Sequence, residues 1–246
     1  MSSKTTLLAT IGLTLAFASG CSSDDDSTLY GPSSGPTGSS SSEIRVLHLS
    51  ADAPAVDIYV NGADKAVSDL VFAQGTDFLE VPSGTYDFNV APAGSSASSS
   101  VLDIEGLTLE PGMSYTAVAF NEVSSLEALA IEEDLSPTPE GTIRVRAIHA
   151  AAGVGEVDIW NVPEGGSPSP LYTDVPFGAV GEYLELPADG YSLGFDVDND
   201  AMPDVMFDLP SLPAGTIANV FAVNDGAVHL LAQFADGTTA RIDARM

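Results

Sequence analysis

Apolar and polar residues alternate along several short segments of this 246-residue chain. In residues 56–61, Val, Ile and Val alternate with Asp, Tyr and Asn, and residues 85–90 and 183–186 alternate in the same way. A period of two is the period of a β-strand with one buried face. Residues 114–121 and 217–223 are apolar with little alternation, which is typical of more fully buried strands.

Turn residues separate these segments. Pro-Ser-Gly at 82–84, Pro-Gly at 111–112 and Asn-Asp-Gly at 224–226 mark reversals between strands. Short strands at a spacing of roughly ten residues, over about 100 residues, are typical of immunoglobulin-like β-sandwiches. The pattern therefore predicts an all-β protein, and no long amphipathic helix is visible.

The predicted sandwich occurs twice, because residues 44–135 and 143–246 share an ordered series of motifs. His48 corresponds to His149, and Val56-Asp-Ile-Tyr59 corresponds to Val157-Asp-Ile-Trp160, at the same offset. Tyr86 corresponds to Tyr191. We therefore expect two tandem β-sandwich domains.

The two repeats are joined by residues 136–142, a linker whose prolines disfavour a continuing strand. This linker suggests a fixed spacing of the domains more than a fixed orientation. Residues 21–43 are rich in Ser, Gly and Pro and are expected to form a disordered tether.

The N-terminus has the features of a signal peptide. Lys4 precedes an apolar stretch, Thr5 to Ala18, that is too short to span a bilayer. Small residues then lead directly to Cys21, in an order that resembles the lipobox of bacterial lipoproteins. The alternative is an ordinary cleaved signal peptide with an incidental cysteine.

The lipobox resemblance implies that residues 1–20 are removed and that Cys21 is acylated. The chain would then be attached through its N-terminal lipid to a membrane of the bacterial cell envelope, outside the cytoplasm. Ser22 resembles the default signal for sorting to the outer membrane. Whether the body faces the periplasm or the exterior stays open.

The charge balance excludes one class of partner. The chain has 7 Lys and Arg against 35 Asp and Glu, a net charge of −28. Such a surface repels nucleic acid, whereas it suits a protein that binds divalent cations. With 1 cysteine, no intramolecular disulfide can form.

The first repeat opens with Arg45-Val-Leu-His-Leu-Ser-Ala-Asp-Ala-Pro-Ala-Val-Asp-Ile-Tyr-Val-Asn-Gly62. This stretch resembles the opening motif of a bacterial surface-domain family catalogued as domain of unknown function 4397. The resemblance implies a β-rich domain that is secreted or lipid-anchored and often duplicated, and it supplies no activity. The second repeat departs from the motif at residues 150–155.

His48 and His149 occupy equivalent positions at the end of a first strand. They are candidates for metal ligands or proton carriers, but no second histidine or cysteine lies at zinc spacing. We favour a structural role in which each ring bonds the following loop. Asp57 and Asp158 are expected to accept backbone N–H groups in the same corners.

The acidic segment Asp196-Val-Asp-Asn-Asp-Ala-Met-Pro-Asp204 is the strongest site candidate. Its carboxylates at Asp196, Asp198, Asp200 and Asp204 follow the first part of a calcium-binding loop, and hard oxygen ligands suit Ca²⁺. The segment departs from an EF-hand loop, because Ala201 stands where that loop has glycine. The alternative is an exposed acidic hairpin. The corresponding loop of the first repeat, residues 91–100, has no carboxylate.

No catalytic motif is present in the sequence. We therefore expect a non-enzymatic, lipid-anchored surface protein that serves binding, adhesion or envelope structure, with a surface protein or a polysaccharide as its partner. The alternative is a secreted hydrolase that acts on sugar polymers with paired carboxylates.

Overall fold

A computed structural model describes residues 40–198, 200 and 202–245. The strands of the first repeat are β1 (Ser41–Leu49), β2 (Val56–Val60), β3 (Asp64–Leu70), β4 (Leu79–Pro82), β5 (Gly84–Pro92), β6 (Leu102–Leu109), β7 (Ser114–Phe120) and β8 (Glu127–Glu133). Those of the second are β9 (Thr142–His149), β10 (Val157–Asn161), β11 (Ser169–Val175), β12 (Leu184–Pro187), β13 (Tyr191–Asp196), β14 (Val205–Leu209), β15 (Ile217–Asn224), β16 (Val228–Phe234) and β17 (Thr239–Asp243). Two single-turn 3₁₀ helices, Ala97–Ser99 and Val123–Ser125, complete the described elements. The predicted signal peptide and Cys21 lie outside the described residues.

Each repeat consists of two sheets with the same strand order. The inner sheets are β4-β1-β7-β8 and β12-β9-β15-β16-β17, and the outer sheets are β3-β2-β5-β6 and β11-β10-β13-β14. In each inner sheet, the first strand of the repeat pairs in parallel with the strand that comes after the outer-sheet strands along the chain. These parallel pairs are β1 with β7 and β9 with β15. The predicted all-β fold class, built from β-sandwiches, is confirmed.

The strand β1 is buried on both faces. Ile44 and Val46 point into the core between the sheets of the first repeat. Leu47 and Leu49 point to the opposite side and contact residues of the second repeat. The neighbouring strand β7 and its counterpart β15 are also covered on both faces. A strand in this position is expected to be largely apolar, which explains the weak alternation of β7 and β15 in the sequence.

A separate apolar cluster joins the two repeats. Leu47 and Phe120 from the first inner sheet pack against Ile148 and Phe221 from the second, and the ring centroids of Phe120 and Phe177 are 5.4 Å apart. The molecule is therefore a stack of four sheets in the order outer, inner, inner, outer. This packing fixes the orientation of the repeats, which differs from the expectation drawn from the linker.

The strand β1 begins earlier than the composition predicts. Residues 41–43, assigned to the disordered tether from the sequence, pair antiparallel with β4 from Pro82 to Glu80. Ser42 is buried, and its hydroxyl donates a hydrogen bond of 2.7 Å to the carbonyl of Glu110. Pairing with a formed neighbouring strand outweighs the low β-propensity of serine.

The second repeat has one strand more than the first. The strand β17 pairs antiparallel with β16 and covers the edge of the second inner sheet. A bridge between Phe207 and Ala244 then links the end of the chain to β14 of the outer sheet. No helix in the described part of the chain is long and apolar enough to cross a membrane.

Candidate metal centre

The acidic segment forms the loop between β13 and β14. Asp196 is the last residue of β13 and is fully buried, whereas Asp198 and Asp204 are exposed. One carboxylate oxygen from each of these three residues lies within 4.8 Å of the other two. The loop therefore brings three of the four predicted ligands together, and Asp200 does not belong to this group.

Backbone hydrogen bonds hold the loop in this shape. The N–H of Val197 donates to Asp204 Oδ2 at 2.8 Å, and the N–H of Met202 donates to Asp200 Oδ1 at 2.8 Å. Pro203 lies directly over β13, because a Cβ placed on Gly194 would be 2.6 Å from the ring carbons of Pro203. The absence of a side chain at position 194 is what allows the loop to fold back over the outer sheet.

The three converging acids repel one another. The pKa of Asp198 is raised by the negative charge of Asp200, then by partial desolvation and by the charge of Asp204. Carboxylates held this close are stabilised by a cation between them, and flexible carboxylate oxygens are the ligands that Ca²⁺ prefers. The residues present therefore fit a calcium ion.

The equivalent corner of the first repeat is neutralised by a side chain. Asp57 is buried, and its carboxylate accepts hydrogen bonds from Lys65 Nζ at 2.5 Å, from the N–H of Asp69 at 3.0 Å and from the N–H of Gly94 at 2.9 Å. These three donors, the lysine above all, lower the pKa of Asp57 to about 2. This corner needs no further cation.

The second repeat keeps the aspartate and lacks the lysine. Asp158 accepts a hydrogen bond of 2.7 Å from the N–H of Asp174, the counterpart of Asp69. The position of Lys65, opposite Tyr59, is taken by Pro170, opposite Trp160. The position of Ala91, opposite Asp57, is taken by Asp196, opposite Asp158.

The second corner has therefore lost an ammonium group and gained a carboxylate. Both changes increase the negative charge around the same pair of strands, and Asp198 and Asp204 of the loop increase it further. A divalent cation at the loop would restore the balance that Lys65 provides in the first repeat.

The two predicted histidines lie at the C-terminal ends of β1 and β9, directly before the loops that follow. His149 Nε2 lies 2.7 Å from the carbonyl oxygen of Gly155, and its Nδ1 lies 3.3 Å from the N–H of Ala151. His48 makes the same two contacts, with Pro54 and Ser50, at 3.4 Å each. Burial lowers the pKa of both imidazoles, so the neutral ring with its proton on Nε2 fits both partners.

A buried ionic cluster between the repeats could not be found from motif spacing. Glu133 at the end of β8 is almost completely buried and lies between Arg45 of the first repeat and Arg146 of the second. The Nη2 atom of Arg45 is 3.2 Å from Glu133 Oε1, and that of Arg146 is 2.8 Å from Glu133 Oε2. We call these residues, with Thr116, Tyr183 and Asn219, the Glu133 cluster.

Every member of the Glu133 cluster donates to the same carboxylate. The Tyr183 hydroxyl donates to Oε2 at 2.6 Å, Asn219 Nδ2 donates to Oε1 at 2.7 Å, and the Thr116 hydroxyl also donates to Oε1. Burial alone would raise the pKa of Glu133, but Arg146 and the other donors together hold it below its ordinary value. The carboxylate therefore stays ionised in the interface.

The match to a family model begins in β1 and crosses the linker into the second repeat. It covers residues 42–160 and carries the description Domain of unknown function (DUF4397). Residues 42–160 contain a DUF4397 domain. This confirms the family that the opening motif indicates. The DUF4397 match ends at Trp160, so a second copy of the domain stays a prediction.

Comparison with other proteins adds little. No curated protein matches the chain. An alpha-glucan-binding streptococcal virulence factor is 13% identical, with 73% of this chain and 92% of that chain covered, at a TM-score of 0.24. The glycogen-degrading pneumococcal virulence factor SpuA is 14% identical, with 78% of this chain and 23% of that chain covered, at a TM-score of 0.27. A family CBM26 module from Eubacterium rectale in complex with maltoheptaose is 14% identical, with 84% of this chain and 98% of that chain covered, at a TM-score of 0.24. Scores this low carry no argument about this chain.

Proposed function

We propose that this chain is a non-enzymatic binding protein of the bacterial cell envelope, anchored through lipid on Cys21 and stabilised by calcium in its second repeat. The observation that carries the calcium assignment is the convergence of Asp196, Asp198 and Asp204 within 4.8 Å. The second repeat has Pro170 in place of Lys65, which neutralises the equivalent corner of the first repeat, and this supports the same assignment.

The arrangement of the buried polar groups supports a binding role. His48, His149 and Glu133 are buried, and each is bonded to the frame of the molecule. These bonds fix loops and sheets, which is what a rigid scaffold for surface recognition requires. The lipid anchor and the tether would hold this scaffold at the membrane surface.

The calcium assignment is tested by the thermal unfolding of the intact chain with Ca²⁺ and with excess chelator. Extracellular modules bind Ca²⁺ with a Kd of about 10⁻⁴–10⁻³ M. At ten times the Kd, binding contributes about 1.4 kcal/mol, or roughly 3–6 °C in Tm for a chain of this size. Mg²⁺ should have a smaller effect, because it demands a stricter geometry.

A matched pair of variants locates the ion. Asp198→Asn should abolish the calcium-dependent rise in Tm and leave the chelated protein at least as stable as before, because the substitution removes repulsion within the loop. Asp64→Asn removes the same charge from an exposed position in the first repeat and should leave the rise unchanged. Equal melting with calcium and with chelator would overturn the calcium assignment.

The binding function is tested by retention of cell-envelope fractions on the immobilised chain, with envelope polysaccharides and surface proteins separated. We expect specific retention of one fraction, with no turnover. Hydrolysis of a polysaccharide that disappears on replacement of a single Asp or Glu in a folded variant would overturn the proposal in favour of a hydrolase. Labelling of the cells with a lipid precursor, compared between the wild type and Cys21→Ser, tests the anchor.

A further inference from the structure

An open groove of about 420 Å³ lies on the second repeat, beside the start of β13. Its walls come from the end of β10, the hairpin after it, the turn before β13 and the end of β14. The polar groups that line it include Asn161, Glu164, Asp189, Tyr191, Ser192 and Asp208. This volume falls within the range of about 300–1,000 Å³ that small-molecule sites occupy.

Two elements that distinguish the second repeat from the first, a longer hairpin and an added C-terminal segment, meet at this groove. The first is the hairpin between β10 and β11, which spans residues 162–168, whereas the equivalent hairpin of the first repeat spans only residues 61–63. Pro163 and Glu164 of the longer hairpin line the groove. The hairpin is held against β13 by a hydrogen bond of 2.8 Å from the N–H of Val162 to the carbonyl of Ser192.

The second element is the C-terminal segment after β17. The backbone N–H of Arg245 donates to the carbonyl of Met206 at 2.7 Å, which places its side chain beside β14. Arg245 Nε then donates to Asp208 Oδ2 at 2.9 Å, and its Nη2 donates to the Ser192 hydroxyl at 3.0 Å. The first repeat has no counterpart of this segment, because β8 leads directly into the linker.

These contacts create a fixed polar array at the edge of the groove. The Ser192 hydroxyl donates to Asp208 Oδ1 at 2.8 Å, so Asp208, Arg245 and Ser192 orient one another. A planar carboxylate and a planar guanidinium that are already fixed can engage adjacent hydroxyl groups at little entropic cost.

Tyr191 supplies an apolar surface next to this array. Its ring packs against the core of the second repeat on one side and lines the groove on the other. The phenol hydroxyl is held by a hydrogen bond of 2.7 Å to the carbonyl of Pro187. An aromatic ring beside fixed polar groups suits a ligand with both C–H faces and hydroxyl edges.

The charge around the groove restricts the ligand further. Glu164, Asp189 and Asp208 surround it, and the whole chain carries a net charge of −28. Anionic ligands such as phosphates or acidic polysaccharides are therefore repelled. The charge therefore argues against anions, and the aromatic ring of Tyr191 beside fixed polar groups favours a neutral, hydroxyl-rich chain among the ligands that are left.

We propose that the groove around Tyr191, Ser192 and Asp208 binds a neutral glycan chain. The inference rests on the proposed binding function and names the site and the class of ligand. Asn161 and Asp189 offer further hydrogen-bonding groups along the walls, and the open shape admits a segment within a longer chain.

The test is calorimetric titration of the purified chain with three probes: hexamers of α-1,4-linked glucose, β-1,4-linked glucose and β-1,4-linked N-acetylglucosamine. We expect saturable binding of at least one probe. Ser192→Ala and Asp208→Asn should weaken it by about tenfold or more, as expected for the loss of one charged hydrogen bond. Tyr191→Ala should abolish it, with the Tm of each variant recorded to confirm folding.

The matched control is Tyr86→Ala in the first repeat. Tyr86 makes the same hydrogen bond to a proline carbonyl, that of Pro82, at 2.5 Å, without the longer hairpin or the C-terminal segment. This variant should bind the probe as the wild type does. Equal binding by wild type, Ser192→Ala and Tyr191→Ala would overturn the assignment to the groove.

Failure of the inference and failure of the proposed function give different results. If no probe binds but the chain still retains an envelope fraction, the glycan assignment is wrong and the binding function stands. If neither probe nor envelope fraction is retained, the binding function is wrong as well.

Discussion

The two repeats share a strand order and a pair of buried histidines, but they neutralise buried carboxylates in different ways. The first repeat uses Lys65 to balance Asp57. The second places Pro170 at the equivalent position and adds three acids in a loop. One β-sandwich frame can therefore balance the charge of the same corner with a side chain or, as we propose, with a metal ion.

A second difference lies where the repeats meet. Arg45 and Arg146 are equivalent residues, yet both contact the single acid Glu133 of the first repeat. Each repeat therefore contributes an equivalent arginine to the Glu133 cluster, whereas the carboxylate comes from the first repeat.

Removal of that carboxylate should have the largest effect. Glu133→Gln would leave two guanidinium groups buried without a counter-charge, which costs about 3–5 kcal/mol of unfolding free energy. Urea denaturation of the intact chain measures this loss. Glu132→Gln, at an exposed neighbouring residue, is the control and should cost little. Equal stability of the two variants would show that the cluster contributes nothing net.

Acid should weaken both the Glu133 cluster and the pair formed by Asp57 and Lys65. The pKa of Glu133 in the folded protein lies below its ordinary value of 4.5, and that of Asp57 falls from 3.8 to about 2. Because both values are depressed by folding, their contribution to stability is fully present above pH 4.5 and is lost as the pH falls towards 2. Denaturation curves at several pH values should show a smaller loss in Glu133→Gln than in the wild type, and identical losses would contradict this account.

A methyl group on Gly194 tests the proposed calcium loop without touching a carboxylate. The counterpart in the first repeat is Asn89, which carries a side chain without difficulty. In Gly194→Ala the new Cβ would collide with Pro203, so Asp204 should move away from the other acids. We expect a cost of about 1–3 kcal/mol and a reduced rise in Tm with calcium, read from melting curves. Asn89→Ala is the control, and an unchanged calcium response in Gly194→Ala would contradict the loop geometry.

Replacement of the buried Gln233 should have the smallest effect, a gain in stability. Gln233 in β16 is fully buried, and among the described residues neither atom of its amide has a hydrogen-bond partner. The first repeat has Ile131 at the equivalent register position, opposite Thr116 rather than Asn219. Gln233→Met should therefore raise the unfolding free energy by about 1 kcal/mol, measured in urea. The exposed Gln74→Met should have no effect, and a loss of stability in Gln233→Met would point to a partner that the amide needs.

The sequence predicted much of this fold because alternation reports local geometry. The strands around Val56 and Tyr86 and the correspondence of His48 with His149 follow from patterns within a few residues. The packing of the repeats also left a signal, since β7 and β15 are largely apolar with little alternation. A strand pattern does not identify what covers each face.

The sites that the sequence missed depend on distant residues. Glu133 is 88 residues from Arg45, and Arg245 is 37 residues from Asp208. No spacing rule connects such pairs, because only the completed stack of sheets brings them together. The acidic loop was visible because its carboxylates lie within nine consecutive residues.

The shared carboxylate also bears on how the chain assembles. Arg146 lies in the second repeat, but the acid that balances it was synthesised earlier, in the first. A second repeat paired with another second repeat would bury Arg146 without its counter-ion. Glu133 therefore directs a second repeat to pack against a first repeat rather than against another second repeat.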